Sequence, residues 1–283
     1  MKYGLFGINF GPCADPDAAV RVAQAAEAAG LESVWTGEHV VLPDPQVAPS
    51  PVPPHVPMLD PAVSLAYVAG ATQRIRLGTG IIILPQRNPV VLAKELASVD
   101  VVSQGRLIAG FGAGYLEPEF VALGAPFSDR GARTNEYIEV IRTLWTMAKP
   151  QFAGRFHRFS GIDAHPRPVQ RPHPPIVIGG VSPPAFRRAV RQCNGWYGFA
   201  LTAEETAGCV RQLAEAGRRY SRPATLGNID ITVTPRAKLD ADSARRFADL
   251  GVDRLVVTTR ATTVDDMLRL VDTVSALVAA RVH

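Results

Sequence analysis

Short apolar runs alternate with longer amphipathic segments along all 283 residues, and this alternation limits the possible folds more than any other feature of the chain. Residues 3–9 read as a strand. Asp15-Pro16 then supplies an N-cap and a first-turn proline, and Ala19, Val22, Ala23 and Ala26 follow at helical spacing until Gly30. The pattern predicts further strands over 32–36, 75–83, 106–111, 175–179, 195–199, 227–233 and 252–258. Helices are predicted over 62–72, 88–103, 183–192 and 203–220, with another between the last two strands. Tyr137, Ile141, Leu144, Trp145 and Ala148 mark one helical face, and Met267, Leu270, Val271, Val274, Leu277 and Val278 stripe the last helix. Such an order predicts an α/β fold, a (β/α)8 barrel with loop insertions at its C-terminal face, forming one domain over residues 1–283. Two doubly wound domains are the competing layout, but no linker separates the halves.

Composition narrows the function classes. A 47% hydrophobic and 20% charged chain is that of a globular protein. No run of 18 apolar residues is present, so no membrane span is expected. The N-terminus enters a strand with no basic and apolar leader, which predicts a cytoplasmic location. Cys13, Cys193 and Cys209 are too scattered for a disulfide framework and read as small buried side chains. The net charge is +4, with arginines dispersed among acids, so nucleic-acid binding is not expected. One window, 155–173, gathers Arg155, His157, Arg158, His165, Arg167, Arg171 and His173. It is either a solvated loop or a collar for an anionic ligand tail. No metal-ligand spacing and no nucleophile elbow occurs.

Four segments carry chemical information. In Gly78-Thr79-Gly80-Ile81-Ile82-Ile83-Leu84-Pro85, glycines interrupt a buried strand, which suggests a flat group close to the backbone. Glu38-His39 closes an earlier strand, where barrel enzymes place catalytic groups. His39 is either a packed histidine or a group that exchanges protons near neutrality. Along a continuous strand it would face away from Glu38, whereas a bend at Gly37 would bring both to the rim. Gly110-Phe111-Gly112-Ala113-Gly114 is not a dinucleotide fingerprint, because Tyr115 takes the final glycine position and no helix clearly starts there. Gly179-Gly180-Val181-Ser182 precedes a helix, as either a phosphate cradle or a tight turn. Two long segments, 43–61 and 149–174, break the regularity. The first, rich in prolines from Pro43 to Pro61, follows Glu38-His39 and is expected to roof a substrate pocket.

In order, these segments resemble the bacterial luciferase-like superfamily, in its coenzyme F420-dependent oxidoreductase branch. The similarity rests on Ala25–Trp35, Glu38-His39, Ile75–Ile81 with Pro85 and Arg87-Asn88-Pro89, Ala93–Asp100, and Gln104–Leu107 with Gly110–Gly114. It continues through Pro166–Gln170, Pro172–Pro175, Gly179-Gly180 and Asn194-Gly195-Trp196, so it spans about residues 1–200. The resemblance implies a TIM barrel with F420, or alternatively FMN, at the C-terminal mouth, behind which Gly80–Ile81 is a non-prolyl cis peptide. It implies cofactor contacts at Thr79, Gly80, Ile81, Gly112, Gly114, Tyr115, Gly179, Gly180, Val181, Phe199 and Ala200. It makes His39 the catalytic acid or polarising group, with Glu38 orienting it.

Two departures shape the expected substrate. Several relatives carry a carboxylate where this chain has Tyr115, and an aromatic residue where Val40, Val41 and Leu42 stand. The pocket wall is therefore aliphatic. The leading expectation is hydride exchange between F420 and a small, largely apolar molecule. The alternatives are an FMN-dependent monooxygenase served by a separate reductase, and a non-catalytic flavin- or ligand-binding barrel. The resemblance also implies a homodimer, through helices near the second and third strands.

Overall fold

A computed structural model describes residues 1–279. In chain order the elements are β1 (Lys2–Phe6), α1 (Pro16–Ala28), β2 (Ser33–Thr36), α2 (Pro61–Ala71), β3 (Arg76–Thr79), β4 (Ile82–Ile83), α3 (Pro89–Val102) and β5 (Leu107–Gly112). Next come α4 (Glu117–Ala122), α5 (Arg130–Thr146), the hairpin β6 (Phe152–Ala153) and β7 (Arg158–Phe159), β8 (Ile176–Gly179), α6 (Pro183–Gln192) and β9 (Gly195–Leu201). The chain closes with α7 (Ala203–Arg219), β10 (Asp230–Pro235), α8 (Ala241–Asp249), β11 (Arg254–Val257) and α9 (Val264–Ala279).

The large sheet runs β3-β2-β1-β11-β10-β9-β8-β5-β4, and β3 also pairs with β5, so the ring closes. All its pairings are parallel. β3 and β4 together occupy one barrel position, which gives the eight-position (β/α)8 barrel. The strand expected over 75–83 is thus split, with Gly80–Ile81 in cis between its pieces. The first strand ends at Phe6 rather than residue 9, because Gly7 turns out of the sheet at φ 97°.

Local chemistry starts three of the helices. Asp15, Asp60 and Asn88 each precede a proline, and each side-chain oxygen accepts backbone N–H groups of the first turn. A cap of this type contributes about 1 kcal/mol, and the proline fixes the first helical φ.

Alternation along the strands divides the core. Leu5, Leu77, Leu107, Ile176, Ile178 and Leu255 face the helices, whereas Phe6, Trp35, Ile108, Val177, Tyr197 and Val256 fill the barrel. Trp35 pairs with Gly78, and a Cβ at residue 78 would land inside its indole. The floor of the barrel is polar. Arg254 donates to Glu32 at 2.8 and 2.9 Å, to Asp230 at 2.7 Å and to Thr232 at 2.9 Å.

The later part of the basic window lies away from the mouth. Val169 and Gln170 N–H groups donate to Asp100 at 2.7 and 3.0 Å, and Gln170 Nε2 donates to the Leu107 carbonyl at 2.8 Å. Leu107 begins β5, so this part of the segment lies on the N-terminal floor. The hairpin is clamped to the flank of α5, where Glu136 accepts the N–H groups of Arg155, Phe156 and His157 at 2.7–2.8 Å. For Arg167 and His173 the reading as a collar for a ligand tail is corrected: Arg167 reaches the Ala148 carbonyl past the end of α5 and His173 the Pro174 carbonyl ahead of β8, the face opposite a barrel's active site.

Candidate active site

The break in the third barrel position builds a platform at the mouth. Thr79 Oγ1 donates to the Gly110 carbonyl at 2.8 Å and accepts its N–H at 2.7 Å, bridging β3 to β5 where the ladder opens. Thr79 and Gly80 are buried beneath the surface, and Gly80 N–H donates to the Thr36 carbonyl at 2.8 Å. Ile81 then lies across β5 and β8. A Cβ at Gly112 would collide with its Cδ1, and one at Gly179 would approach it to 2.8 Å. These two glycines make room for Ile81, which presents a flat, partly exposed apolar surface.

Aromatic rings wall one side of this surface. The Phe6 and Phe199 centroids are 5.0 Å apart, and Phe10 packs edge-on to Phe6 at 5.7 Å. Phe199 remains 49% exposed, which leaves much of its ring free to meet a ligand. Beneath it, Tyr197 bonds to Thr234 at 2.7 Å and is wholly buried, which pushes its phenol well above its ordinary pKa. Ala200 sits in the left-handed region at φ 55°, its carbonyl accepting from Arg236 Nε at 3.0 Å.

Across the mouth, Gly180 has φ 114° and is exposed with Val181. Ser182 is the N-cap residue of α6, yet its hydroxyl makes no capping bond. The helix N-terminus and this free hydroxyl can together receive an anion. Gly114 turns the chain after β5 at φ 78°, where a Cβ would strike Ile83 and Phe120, and Tyr115 emerges 51% exposed. The Tyr115 and His39 rings meet edge to face at 6.1 Å.

His39 and Glu38 have different surroundings. The His39 imidazole is held by Glu119 of α4, whose Oε2 lies 3.1 Å from Nδ1. The other oxygen of Glu119 accepts the Val40 N–H at 2.6 Å. Burial pushes the Glu119 carboxyl up, but the bond to His39, the facing Gln86 carboxamide, the imidazole charge and the Val40 N–H outweigh it, leaving its pKa below the ordinary value.

Glu38 points away from the imidazole. It accepts the Ile83 N–H and both Nε, at 2.8 Å, and Nη2 of Arg87, while Arg87 Nη2 also reaches Asp60 at 2.7 Å. Burial raises the Glu38 carboxyl despite these partners. The expectation that Glu38 orients His39 is therefore corrected. In an extended segment the two side chains leave on opposite sides, and Arg87 captures the carboxylate. Glu119 escaped notice because it comes four residues after Tyr115, on a helix whose start was missed. The signal was Glu117-Pro118-Glu119, a proline with two acids in a first helical turn.

Beside His39 lies a cavity of about 330 Å³, lined by Val40, Met58, Asp60, Gln86, Arg87 and Leu123 among others. The proline-rich segment reaches it through its last residues. Asn9 Nδ2 donates to the carbonyls of Leu59 and Gly37 at 2.7 and 2.9 Å, and the His39 N–H points at Met58 Sδ at 3.1 Å. Residues 58–60 thus form a wall of the cavity. Among the described residues, no cluster of three or more His, Cys, Asp or Glu is placed to hold a metal ion. No helix among them is long and apolar enough to cross a membrane.

Comparisons with known proteins agree with this geometry. Residues 4–265 match the luciferase-like monooxygenase family. An uncharacterised protein of Mycobacterium tuberculosis (strain ATCC 25618 / H37Rv) is 29% identical over 290 aligned positions, covering 99% of each chain. The oxygenase component of a flavin-dependent trigonelline monooxygenase from Acinetobacter baylyi (strain ATCC 33305 / BD413 / ADP1) is 33% identical over 181 residues, 63% of this chain and 47% of that one. The fold superposes on an F420-dependent secondary alcohol dehydrogenase bound to an F420–acetone adduct, with TM-score 0.76, 16% identity and 98% coverage of both chains. A closed parallel barrel, an Ile81 platform at its mouth and a match over residues 4–265 lead to one conclusion: this chain belongs to the luciferase-like monooxygenase family of oxidoreductases.

Proposed function

We propose that the protein is an F420-dependent oxidoreductase that exchanges a hydride between the cofactor and a small, largely apolar organic substrate. The observation that carries this reading is His39, whose partly buried imidazole stands at the mouth against Tyr115, with its Nδ1 occupied by Glu119. A hydride acceptor such as a carbonyl or imine needs a proton at its heteroatom, and an imidazole near neutrality provides one.

The residues present fit a planar ring with a phosphate-bearing tail. Ile81 would meet the ring and Phe199 its flank, while Gly180, Val181 and the free hydroxyl of Ser182 would hold the phosphate. Gly112 and Gly179 leave room for Ile81, and Thr79 ties β3 to β5 beside it. The bound deazaflavin supplies or accepts the hydride. His39 gives or takes the proton, and Val40, Met58 and Leu59 shape an aliphatic side to the substrate cavity.

Titration of the purified protein with F420 and with FMN, followed by anaerobic turnover, tests the reading. F420 binding and oxygen-independent hydride transfer are expected; micromolar FMN binding with no F420 binding defeats it. His39→Ala is expected to lower turnover ~10²–10⁴-fold with little change in cofactor affinity. An unchanged rate removes His39 from the mechanism.

A second reading, an FMN-dependent monooxygenase supplied by a separate reductase, is favoured by the 33% identity to a flavin-dependent oxygenase component. Oxygen consumption coupled to reduced FMN would select it. A barrel that binds a flavin without turning over is the third outcome of the same assays.

We also propose a homodimer. Val63 and Tyr67 of α2 and Val91 and Val102 of α3 are more than half exposed on outward faces of adjacent helices. Both helices are apolar on nearly all sides, a pattern that calls for cover on the outer face as well.

A further inference from the structure

The contact between His39 and Glu119 has a chemical consequence. The Glu119 side chain is wholly buried; one oxygen meets the imidazole, the other a backbone N–H, and the Gln86 carboxamide faces it as well. An ionised carboxylate can only accept hydrogen bonds, so the hydrogen in the contact belongs to Nδ1. That leaves Nε2 as the nitrogen free to exchange a proton with a ligand. The other charges that line the cavity beside His39 are already matched: Glu38 and Asp60 are both held by Arg87. The Tyr115 ring meets the imidazole edge-on, and the Met58 thioether meets its backbone N–H. Among the described residues, the charge paired with the imidazole is that of Glu119.

We infer that Glu119 is the positioning residue for His39: it fixes the Nδ1–H tautomer, aims Nε2 at the reacting atom and stabilises the imidazolium. The proton balance is simple. When a hydride reaches a carbonyl carbon, a C–H bond forms and the C=O π pair moves to oxygen. Nε2–H then passes to that oxygen, an O–H bond forms, and the imidazolium becomes neutral imidazole. In the reverse direction Nε2 removes the alcohol proton. Glu119 stays ionised throughout, as a buried carboxylate does beside a catalytic imidazole.

The use made of the proton rests on the hydride-transfer reading; the tautomer does not. Nitrogen-15 NMR of histidine-labelled protein without cofactor reads it directly, with the resonance of His39 among the six histidines assigned through His39→Gln. The expected wild-type state at neutral pH is the Nδ1–H tautomer or the doubly protonated ring. In Glu119→Gln the carboxamide has one acceptor, which the Val40 N–H claims, and its NH₂ faces the ring. The imidazole is then expected to switch to the Nε2–H tautomer.

In anaerobic turnover with F420, Glu119→Gln should lower kcat ~10²-fold or more, leave cofactor affinity within about twofold, and move the imidazole limb of the kcat/KM profile to lower pH. Glu119→Asp restores the charge and should recover part of both. A wild-type Nε2–H tautomer, or an unchanged tautomer and pH profile in Glu119→Gln, overturns the inference. If Glu119→Gln fails to fold, the wild-type tautomer still decides. Failure of F420 to bind defeats the proposed cofactor and leaves the tautomer result standing.

Discussion

Glu38→Gln separates a structural carboxylate from a catalytic one. The Glu38 side chain is 2% exposed and holds Arg87 through Nε at 2.8 Å and through Nη2, besides the Ile83 N–H. Glutamine preserves volume and one acceptor. It removes the charge and turns an NH₂ group toward the guanidinium or the amide. Losing one partner of a buried ion pair typically costs ~3–5 kcal/mol. Arg87 is 20% exposed and keeps Asp60 at 2.7 Å, so part of its charge stays compensated. The expected loss is about 2–3 kcal/mol, or roughly 3–5 °C in melting temperature.

Urea unfolding followed by circular dichroism measures this loss as a lower midpoint with an unchanged slope. A double-mutant cycle with Arg87→Met should give a coupling of ~1–3 kcal/mol. Turnover, assayed well below the melting point, should fall far less than in His39→Ala. A Glu38→Gln protein within ~0.5 kcal/mol of wild type, yet as inactive as His39→Ala, would falsify the assignment and return Glu38 to the imidazole.

Three further outcomes are expected. Gly78→Ala places a methyl group within the Trp35 indole and should destabilise the barrel by ~1–3 kcal/mol, with recovery in Trp35→Leu; denaturant midpoints check both, and a neutral Gly78→Ala contradicts the packing. Because the folded Glu119 carboxyl lies below its ordinary pKa, its contribution to stability is present above the unfolded value of about 4.3 and is lost as pH falls through the folded value. Melting temperatures measured from about pH 6 down to pH 3 should therefore drop less steeply in Glu119→Gln than in wild type, and parallel curves refute the shift. Val63→Glu on the exposed face of α2 should convert a dimer to a monomer in sedimentation analysis while leaving the melting transition cooperative, and an unaltered mass places the interface elsewhere.

The barrel was legible because its signals are local. Asp15-Pro16 and Asn88-Pro89 carry both a cap and a fixed φ within two residues, and β-branched runs mark the strands between them. The glycines were harder to read. Gly78 does admit a flat group, but the group is the Trp35 indole, and sequence alone does not say which planar partner approaches. Gly112 and Gly179 make room for Ile81 in the same way. His39 was readable from its place at a strand end, whereas its partner was not. Glu119 lies 80 positions away along the chain and reaches the imidazole because α4 folds over the loop that follows β2. The destination of Glu38 depends on Arg87, 49 positions along, and alternation left open whether it would diverge from His39 or share the rim with it.

The most direct measurement is a crystal structure of the F420 complex. The deazaflavin ring is expected to lie face-on to Ile81 and beside Phe199, its phosphate at Gly180–Ser182, and His39 Nε2 within hydrogen-bonding reach of a substrate atom at the ring's reactive carbon. A ring bound away from Ile81, or His39 turned so that Nδ1 faces the ring, would contradict the account.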